Sequence, residues 1–428
     1  MMRILLMTAF LCTMLDIQAQ HTLRLSVKDV HSKEPLAGAS VTMSKLGRSA
    51  KADSLGTVNF DNIPAGTYAI LVSFIGFQSQ EIEVQVPQSS MLEVLMEEEE
   101  EHEEEVVVTA TRVSRTIANT PTRIEVISGE ELVEKGNMKP GDIRMLLNES
   151  TGIQAQQTSA TSYNAGLRIQ GLEGRYTQML RDGYPLYSGF SGSLSLLQIA
   201  PLDLSQVEVI KGAASTLYGG GAIGGLVNLV SKTPREEREL SFLANGTSAG
   251  GLDLSGFYSE KHGKLGITIF GSRNSNKAFD PADIGVTAIP EFERYTFNPR
   301  LFLYGTKTTA DIGVSYITEN RTGGSINYIK NGVNEFYEKN NTDRITAQIG
   351  IAHRLNENAT LQFKTSYSHF DRKLSIPTYV FDALQRSSFS ELTWNLNTER
   401  SDWVVGANII TEDLDENGQT PDPKRNYH

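Results

Sequence analysis

The chain has 428 residues, enough for two or three domains. Its 51 acidic side chains outnumber 39 basic ones for a net charge of −12, and the run Glu97–Glu105 holds much of that excess with only His102 interrupting it, which excludes a generally basic nucleic-acid-binding surface. The single cysteine, Cys12, falls in a segment expected to be removed, so cysteine catalysis, thiolate metal sites and internal disulfides are excluded from the mature protein.

Residues 1–20 read as a secretory signal peptide. A basic start at Arg3 precedes a short apolar stretch from Ile4 to Leu15, too short to span a bilayer, and Ala19 offers a small cleavage residue. Residues 21–96 read as a small β domain, with strands over Leu23–Val27, Ser40–Ser44, Gly56–Phe60, Thr67–Ile75 and Glu81–Val86 separated by turns such as Pro64-Ala65-Gly66. Strands this closely spaced suggest a sandwich. The passages Glu34–Val41, Asp53–Gly56, Pro64–Tyr68 and Phe74–Phe77 resemble the carboxypeptidase-regulatory-like, transthyretin-like β-sandwich. Residues 97–105 then form an acidic linker whose like charges keep it extended and solvated.

Val106, Val107, Val108, Thr109, Ala110 and Thr111, with Arg112 after them, form a β-prone apolar segment between charged linker and polar chain, the pattern of an exposed edge strand awaiting a partner. Residues 113–234 read as an α/β unit. Its strands are Arg123–Ile127, Leu167–Gln170, Thr177–Arg181, Val207–Lys211 and Leu226–Ser231, and its short helices Gly129–Lys135 and Asp142–Leu147, the second N-capped by Asp142. The passages Pro121–Ile127, Leu167–Leu172, Arg181–Leu186 and Val207–Gly219, running on through Gly224–Lys232, resemble the plug domain of TonB-dependent outer-membrane receptors. By that resemblance Val106–Thr111 stands where the family keeps its TonB box, and Arg168, Arg175, Glu208 and Lys211 fall on charged motif positions that hold plug to barrel by ion pairs. Gly219-x-Gly221-x-x-Gly224 also satisfies a dinucleotide fingerprint. The β-branched stretch Leu226–Val230 and the lack of a distal acidic residue argue instead for tight turns inside the plug.

Beyond Pro234 nine strands are predicted: Arg238–Asn245, Gly251–Glu260, Lys264–Asn274, Tyr295–Tyr304, Thr308–Glu319, Arg344–His353, Thr360–Phe370, Gln385–Asn395 and Ser401–Ile410. Their alternation, with long links at 275–294, 320–343 and 371–384 between short turns, has the signature of a transmembrane antiparallel β-barrel. The expected fold is therefore mainly β: a transthyretin-like β-sandwich, an α/β plug domain, and the first part of a barrel over 235–428. Nine strands is an odd number, and bacterial barrels have even ones, so the chain is expected to be a piece truncated in the barrel.

The resemblance implies a transporter rather than an enzyme. It implies import of a large scarce ligand, most readily a ferric siderophore, haem or cobalamin-type complex, by a protein seated in outer-membrane lipid with its N-terminal domain in the periplasm. A TonB-type energy-transducing protein would capture the box by β-augmentation. A surface lipoprotein over the barrel is compatible with this reading, and no resident cofactor or metal is implied. Aromatic side chains suited to planar or catecholate-like ligands are Tyr163, Tyr184, Tyr187 and Phe190 in the plug loops and Tyr328 and Tyr337 in a long barrel loop. His262, His353 and His369 lack metal-ligand spacing. A glycan importer of the same superfamily and a secreted surface adhesin are the competing readings.

Overall fold

The structure is a computed structural model that describes residues 20–88, 90–97, 107–108, 115–116, 124–159, 161, 164–186, 196–213, 218–398 and 401–417. The expected signal peptide and acidic linker lie almost wholly outside the described residues. The chain divides into two compact units, Met1–Glu105 and Val106–His428.

The first unit is a β-sandwich of β1 (Gln20–Asp29), β2 (Ser40–Met43), β3 (Arg48–Lys51), β4 (Thr57–Pro64), β5 (Gly66–Phe74), β6 (Phe77–Val86) and β7 (Leu92–Met96). One sheet has the order β4-β1-β7 and the other β3-β2-β5-β6. Strand alternation builds the core. In β5, Tyr68, Ile70 and Val72 are buried while Thr67, Ala69 and Leu71 between them are exposed. Facing them, Leu25 and Val27 of β1 and Phe60 of β4 complete one apolar cluster. Two strands were not expected. Strand β3 is mostly exposed and carries no apolar signal, and β7 pairs parallel with β1, from Leu25↔Leu92 to Asp29↔Met96, a pairing that local sequence does not announce.

In the second unit a short ladder joins β8 (Val107–Val108) to β9 (Arg115–Thr116), and an α/β body follows. This body contains β10 (Ile124–Ser128), α1 (Gly129–Met138), α2 (Arg144–Asn148), β11 (Ile153–Gln157), β12 (Ala165–Ile169), β13 (Thr177–Arg181), β14 (Tyr184–Pro185), β15 (Leu204–Lys211) and β16 (Gly225–Ser231). Its sheet runs β10-β15-β16-β13-β14. Strand β16 and the second half of β15 are largely buried on both faces, which is why apolar residues recur there without strict alternation, as in Val209-Ile210, Leu226-Val227 and Leu229-Val230. Asp142 does not cap α2 as expected: Ile143 holds the N-cap position, and the Asp142 carboxylate accepts instead from the Arg144 amide at 3.1 Å and from the Arg144 guanidinium at 2.9 and 3.0 Å.

The rest is one nine-stranded antiparallel meander: β17 (Glu239–Gly246), β18 (Leu252–His262), β19 (Leu265–Asn276), β20 (Glu291–Tyr304), β21 (Thr308–Gly324), β22 (Tyr337–Arg354), β23 (Ala359–Ile376), β24 (Tyr379–Asn397) and β25 (Asp402–Glu416), with α3 (Ile326–Asn331) between β21 and β22. All nine expected strands are present, but several are longer than expected. The link expected over 371–384 does not exist as a loop. There β23 and β24 extend toward each other and turn at Pro377-Thr378, with Ile376 opposite Tyr379. The mixed polar composition of that stretch resembles a loop locally, and inter-strand hydrogen bonding overrides it.

Chemically this sheet is inside out. On β20 the exposed side chains are Tyr295, Phe297, Leu301 and Leu303, whereas Arg294, Thr296 and Asn298 are buried. Across it, Glu319 and Arg321 of β21 and Asn340, Thr342 and Arg344 of β22 are buried as well. A water-soluble sandwich buries the opposite face. Apolar outside and polar inside is the pattern of a barrel wall.

Candidate functional site: the seat of the α/β body on the polar wall

The polar face of the meander is occupied by the α/β body, and the contact is built around the tight turn between β13 and β14. Asp182 and Gly183 both have positive φ, +54° and +79°, as a two-residue hairpin requires. A Cβ at Gly183 would also stand 2.5 Å from Lys364 Nζ, so a larger residue would push that flexible side chain aside. The turn thus carries Asp182 and Tyr184 directly onto strands β20 to β24.

Arg300 of β20 bridges two carboxylates, donating to Asp182 Oδ2 at 2.7 Å and to Asp311 Oδ2 at 3.0 Å. Lys364 Nζ donates to the Asp182 carbonyl at 2.8 Å, and the Ser231 amide donates to Asp182 Oδ1 at 2.8 Å. Beside this, Arg181 pairs with Asp203, and Asn298 of the wall donates to the same Asp203 carboxylate at 3.2 Å. The Tyr184 ring stands edge-on to Phe389 with centroids 6.2 Å apart. Its hydroxyl is buried without a hydrogen-bond partner among the described residues.

A second row of contacts lies nearer the long links. Arg294 donates to the carbonyls of Leu197 and Gly141 and pairs with Glu319 at 3.3 Å, and Gln198 donates to Thr342 at 3.1 Å. Further along, Ser159 and Thr161 donate to Glu338 at 3.0 and 3.2 Å, and Thr287 donates to the Thr161 carbonyl at 3.3 Å. The body is therefore held to the wall largely by polar and charge-assisted bonds along much of its height, with a smaller apolar contact of Ala200 and Leu202 against Phe257 and Phe270.

Comparison with known proteins bears on this arrangement. Residues 116–226 match the family model described as "TonB-dependent Receptor Plug Domain". The chain carries the plug domain of a TonB-dependent receptor. Residues 26–108 match a "CarboxypepD_reg-like domain". Among curated relatives, the ferric aerobactin receptor of Klebsiella pneumoniae is 35% identical over 146 residues, 33% of this chain and 19% of the relative. The vitamin B12 transporter BtuB of Vibrio vulnificus is 28% identical over 178 residues, 41% of this chain and 28% of the relative. Among solved structures, the ferric yersiniabactin uptake receptor FyuA of Yersinia pestis shares the fold with a TM-score of 0.59 at 17% identity, covering 73% of this chain and 52% of that one. The chain thus spans about half the length of that solved receptor, and its match reaches a fifth to a quarter or so of the curated relatives.

Within the plug three of the four motif charges have side-chain partners in the same domain. Lys211 pairs with Glu125. Glu208 is fully buried and accepts from Gln206 at 2.7 Å and Asn228 at 2.9 Å. Arg175 pairs with Glu173 at 3.0 Å and lies 4.9 Å over the Tyr176 ring, and Arg168 sits on β12 opposite Gln154. The plug–wall bonds described above involve Asp182, Asp203, Arg294 and Arg300, which sequence reasoning did not single out. A signal for the wall residues was available: Arg294, Glu319 and Arg321 are charges set inside alternating apolar strands.

Of the aromatic candidates, Tyr163, Tyr187 and Phe190 lie outside the described residues. Tyr184 is buried at the plug–wall contact. Tyr328, on α3, and Tyr337, at the start of β22, stack on one another with centroids 4.2 Å apart and planes at 15°, and Lys339 Nζ lies 5.3 and 5.5 Å from the two rings. Of the box, Val106, Thr109, Ala110 and Thr111 lie outside the described residues. Val108 was expected on an exposed edge strand but is fully buried, packed with Leu180, Ile210 and Leu226 of the plug.

The electrostatics of the hairpin set a pH prediction. Burial alone would raise the Asp182 pKa, but the charges of Arg300 and Arg181 and the bonds from Ser231 outweigh it and hold the carboxyl below its ordinary value. A depressed folded pKa means that the stabilisation is fully present above the unfolded value, about 3.9, and is lost as pH falls through the lower folded one. Hydrogen exchange at the Gly183 amide, which donates to Asn228 at 3.1 Å, should show constant protection from neutral pH down to about pH 4 after correction for intrinsic rates. Loss beginning near pH 6 would contradict this assignment.

Proposed function

We propose that this protein is a TonB-dependent outer-membrane receptor that imports an iron chelate or a cobalamin-type ligand. The observation that carries the reading is a plug domain seated by charged bonds on the polar face of a meander whose other face is apolar and exposed. Aromatic and aliphatic side chains on that outer face suit a hydrocarbon environment, and strands of 14 to 19 residues in β20–β25 exceed the roughly 9–11 needed to cross it. The surplus length stands beyond the membrane on the side of the long links, where Tyr328, Tyr337 and Lys339 form an aromatic and cationic surface suited to planar anionic ligands. The receptor passes its cargo unaltered, and the energy comes from an inner-membrane TonB-type partner that grips Val106–Thr111 as an added strand. The cargo class is supported by relatives named as a ferric aerobactin receptor and a vitamin B12 transporter.

The test is uptake of radiolabelled ferric aerobactin, a ferric catecholate and cyanocobalamin by cells that produce the protein, against cells lacking its gene. TonB-dependent accumulation of one of these supports the reading. Equal accumulation of all three in both strains refutes the proposed cargo class.

A further inference from the structure

In the first unit the sheet β3-β2-β5-β6 ends on β6, and that end is open. Strand β6 has 10 residues and pairs with β5 alone, from Gly66↔Val86 to Phe74↔Phe77. On its other side one backbone bond is made among the described residues: the Gln78 amide donates to the Glu97 carbonyl at 3.0 Å, where the chain leaves the sandwich after β7. From Ser79 onward the edge has no strand beside it among the described residues. An unpaired edge of this length is a template for a strand from elsewhere.

The side chains along this edge select what can pair with it. Glu81 and Glu83 are exposed, and β5, β6 and β7 carry no lysine or arginine. Leu71 of β5 lies opposite Glu81 and is 41% exposed. Ile75, at the tip of the β5–β6 hairpin, is 96% exposed beside the tilted Phe74–Phe77 pair and takes no part in the apolar core of its own unit. Negative charge continues past Glu97, where residues 98–105 are all glutamate except His102. Glu81 and Glu83 repel the same edge of a second copy, and they repel an anionic lipid surface for the same reason. A strand carrying lysine or arginine is admitted: main-chain bonds supply affinity, and the glutamates supply selection.

We propose that the open edge of β6, with Ile75 at its end, is a second docking point for the TonB-type partner, which adds a basic strand there besides gripping Val106–Thr111. The proposal rests on the transport reading and adds to it a contact outside the box. Chain continuity is the reason for choosing this partner. Glu97 is fixed beside Gln78, and the chain from Glu97 to Val107 spans at most about 35 Å, so a protein that holds the box is tethered within reach of β6. Tethering makes the second contact intramolecular and multiplies affinity without enlarging the box. The glutamates between the two contacts draw a basic partner toward both.

The test measures binding of the purified periplasmic domain of the producing cells' TonB-type partner to the full chain in detergent, at low and moderate salt. Glu81→Lys with Glu83→Lys, both exposed and clear of the sandwich core, should raise Kd several-fold and flatten its salt dependence. Asn59→Lys with Asp61→Lys, exposed on the edge strand β4 of the other sheet, should leave Kd unchanged. In the parent, hydrogen exchange of the β6 amides should slow when the domain is added. An unchanged Kd in the Glu81→Lys, Glu83→Lys variant overturns the proposal, and so do β6 amides whose exchange the domain does not affect. Val108→Pro reads the box separately. Binding that Val108→Pro leaves unchanged counts against the energy-coupling assignment, whereas binding weakened by Val108→Pro and untouched by the β6 changes counts against the second contact alone.

Discussion

In cells producing the receptor, Val108→Pro should reduce energised uptake to background while cargo still binds at the surface. Proline removes the amide hydrogen that a strand-adding partner must engage, and it fixes φ near −65°, away from an ideal antiparallel strand. At rest the same segment is occupied within the chain: Val107 pairs with Thr116, Val108 pairs with Arg115, and the Val108 side chain is packed among Leu180, Ile210 and Leu226. Capture therefore requires release. Val108→Ala separates the two steps, since it keeps the amide and removes only packing, about 1–3 kcal/mol for a side chain of this size. It should transport at least as well as the parent, because release becomes easier while the strand remains competent. Uptake and surface binding measured side by side for both variants decide the matter. Val108→Pro transporting at the parental rate would refute the assignment of Val106–Thr111 as the energy-coupling segment.

The second large effect is expected at Arg300. Its guanidinium satisfies Asp182 on the plug and Asp311 on the wall together, with Lys364 bonded to the Asp182 carbonyl beside it. Arg300→Met leaves two carboxylates in a poorly hydrated contact without their bridging cation, a change that costs about 3–5 kcal/mol when a buried pair is broken from one side. The plug should then seat poorly, and cells should become sensitive to a large hydrophilic antibiotic that the intact outer membrane excludes. Arg300→Lys should fall between parent and Arg300→Met, because an ammonium supplies charge but not the planar fork that reaches two carboxylates at once. Equal resistance across all three strains would show that the hairpin is held by packing and not by charge.

Much of this architecture is legible in local sequence because it is periodic. Alternation in several of the nine meander strands marked that region as β, and Thr177–Arg181 was placed at its observed bounds. The closely spaced strands and turn residues of the first unit announced its sandwich, and the β-branched, apolar stretch Leu226–Val230 read as a strand, which it is in β16. Tyr328 and Tyr337 were both picked out as candidates, although their stacking depends on α3 folding back over β22.

What local pattern could not supply is pairing across distance. Asp182 and Arg300 are 118 residues apart, and nothing in either neighbourhood names the other. Likewise β7 reads as a strand only once β1 lies beside it, and the stretch 371–384 becomes a hairpin only because each side finds hydrogen-bond partners on the other. Whether Val108 is exposed or buried depends on Leu180, Ile210 and Leu226, which the plug sheet brings together. By itself, then, the sequence determined the type of each element, since backbone periodicity and turn chemistry are local properties. The tertiary structure decided which charges meet and which strand edge is covered, since burial and ion pairing exist only between segments that folding has made neighbours.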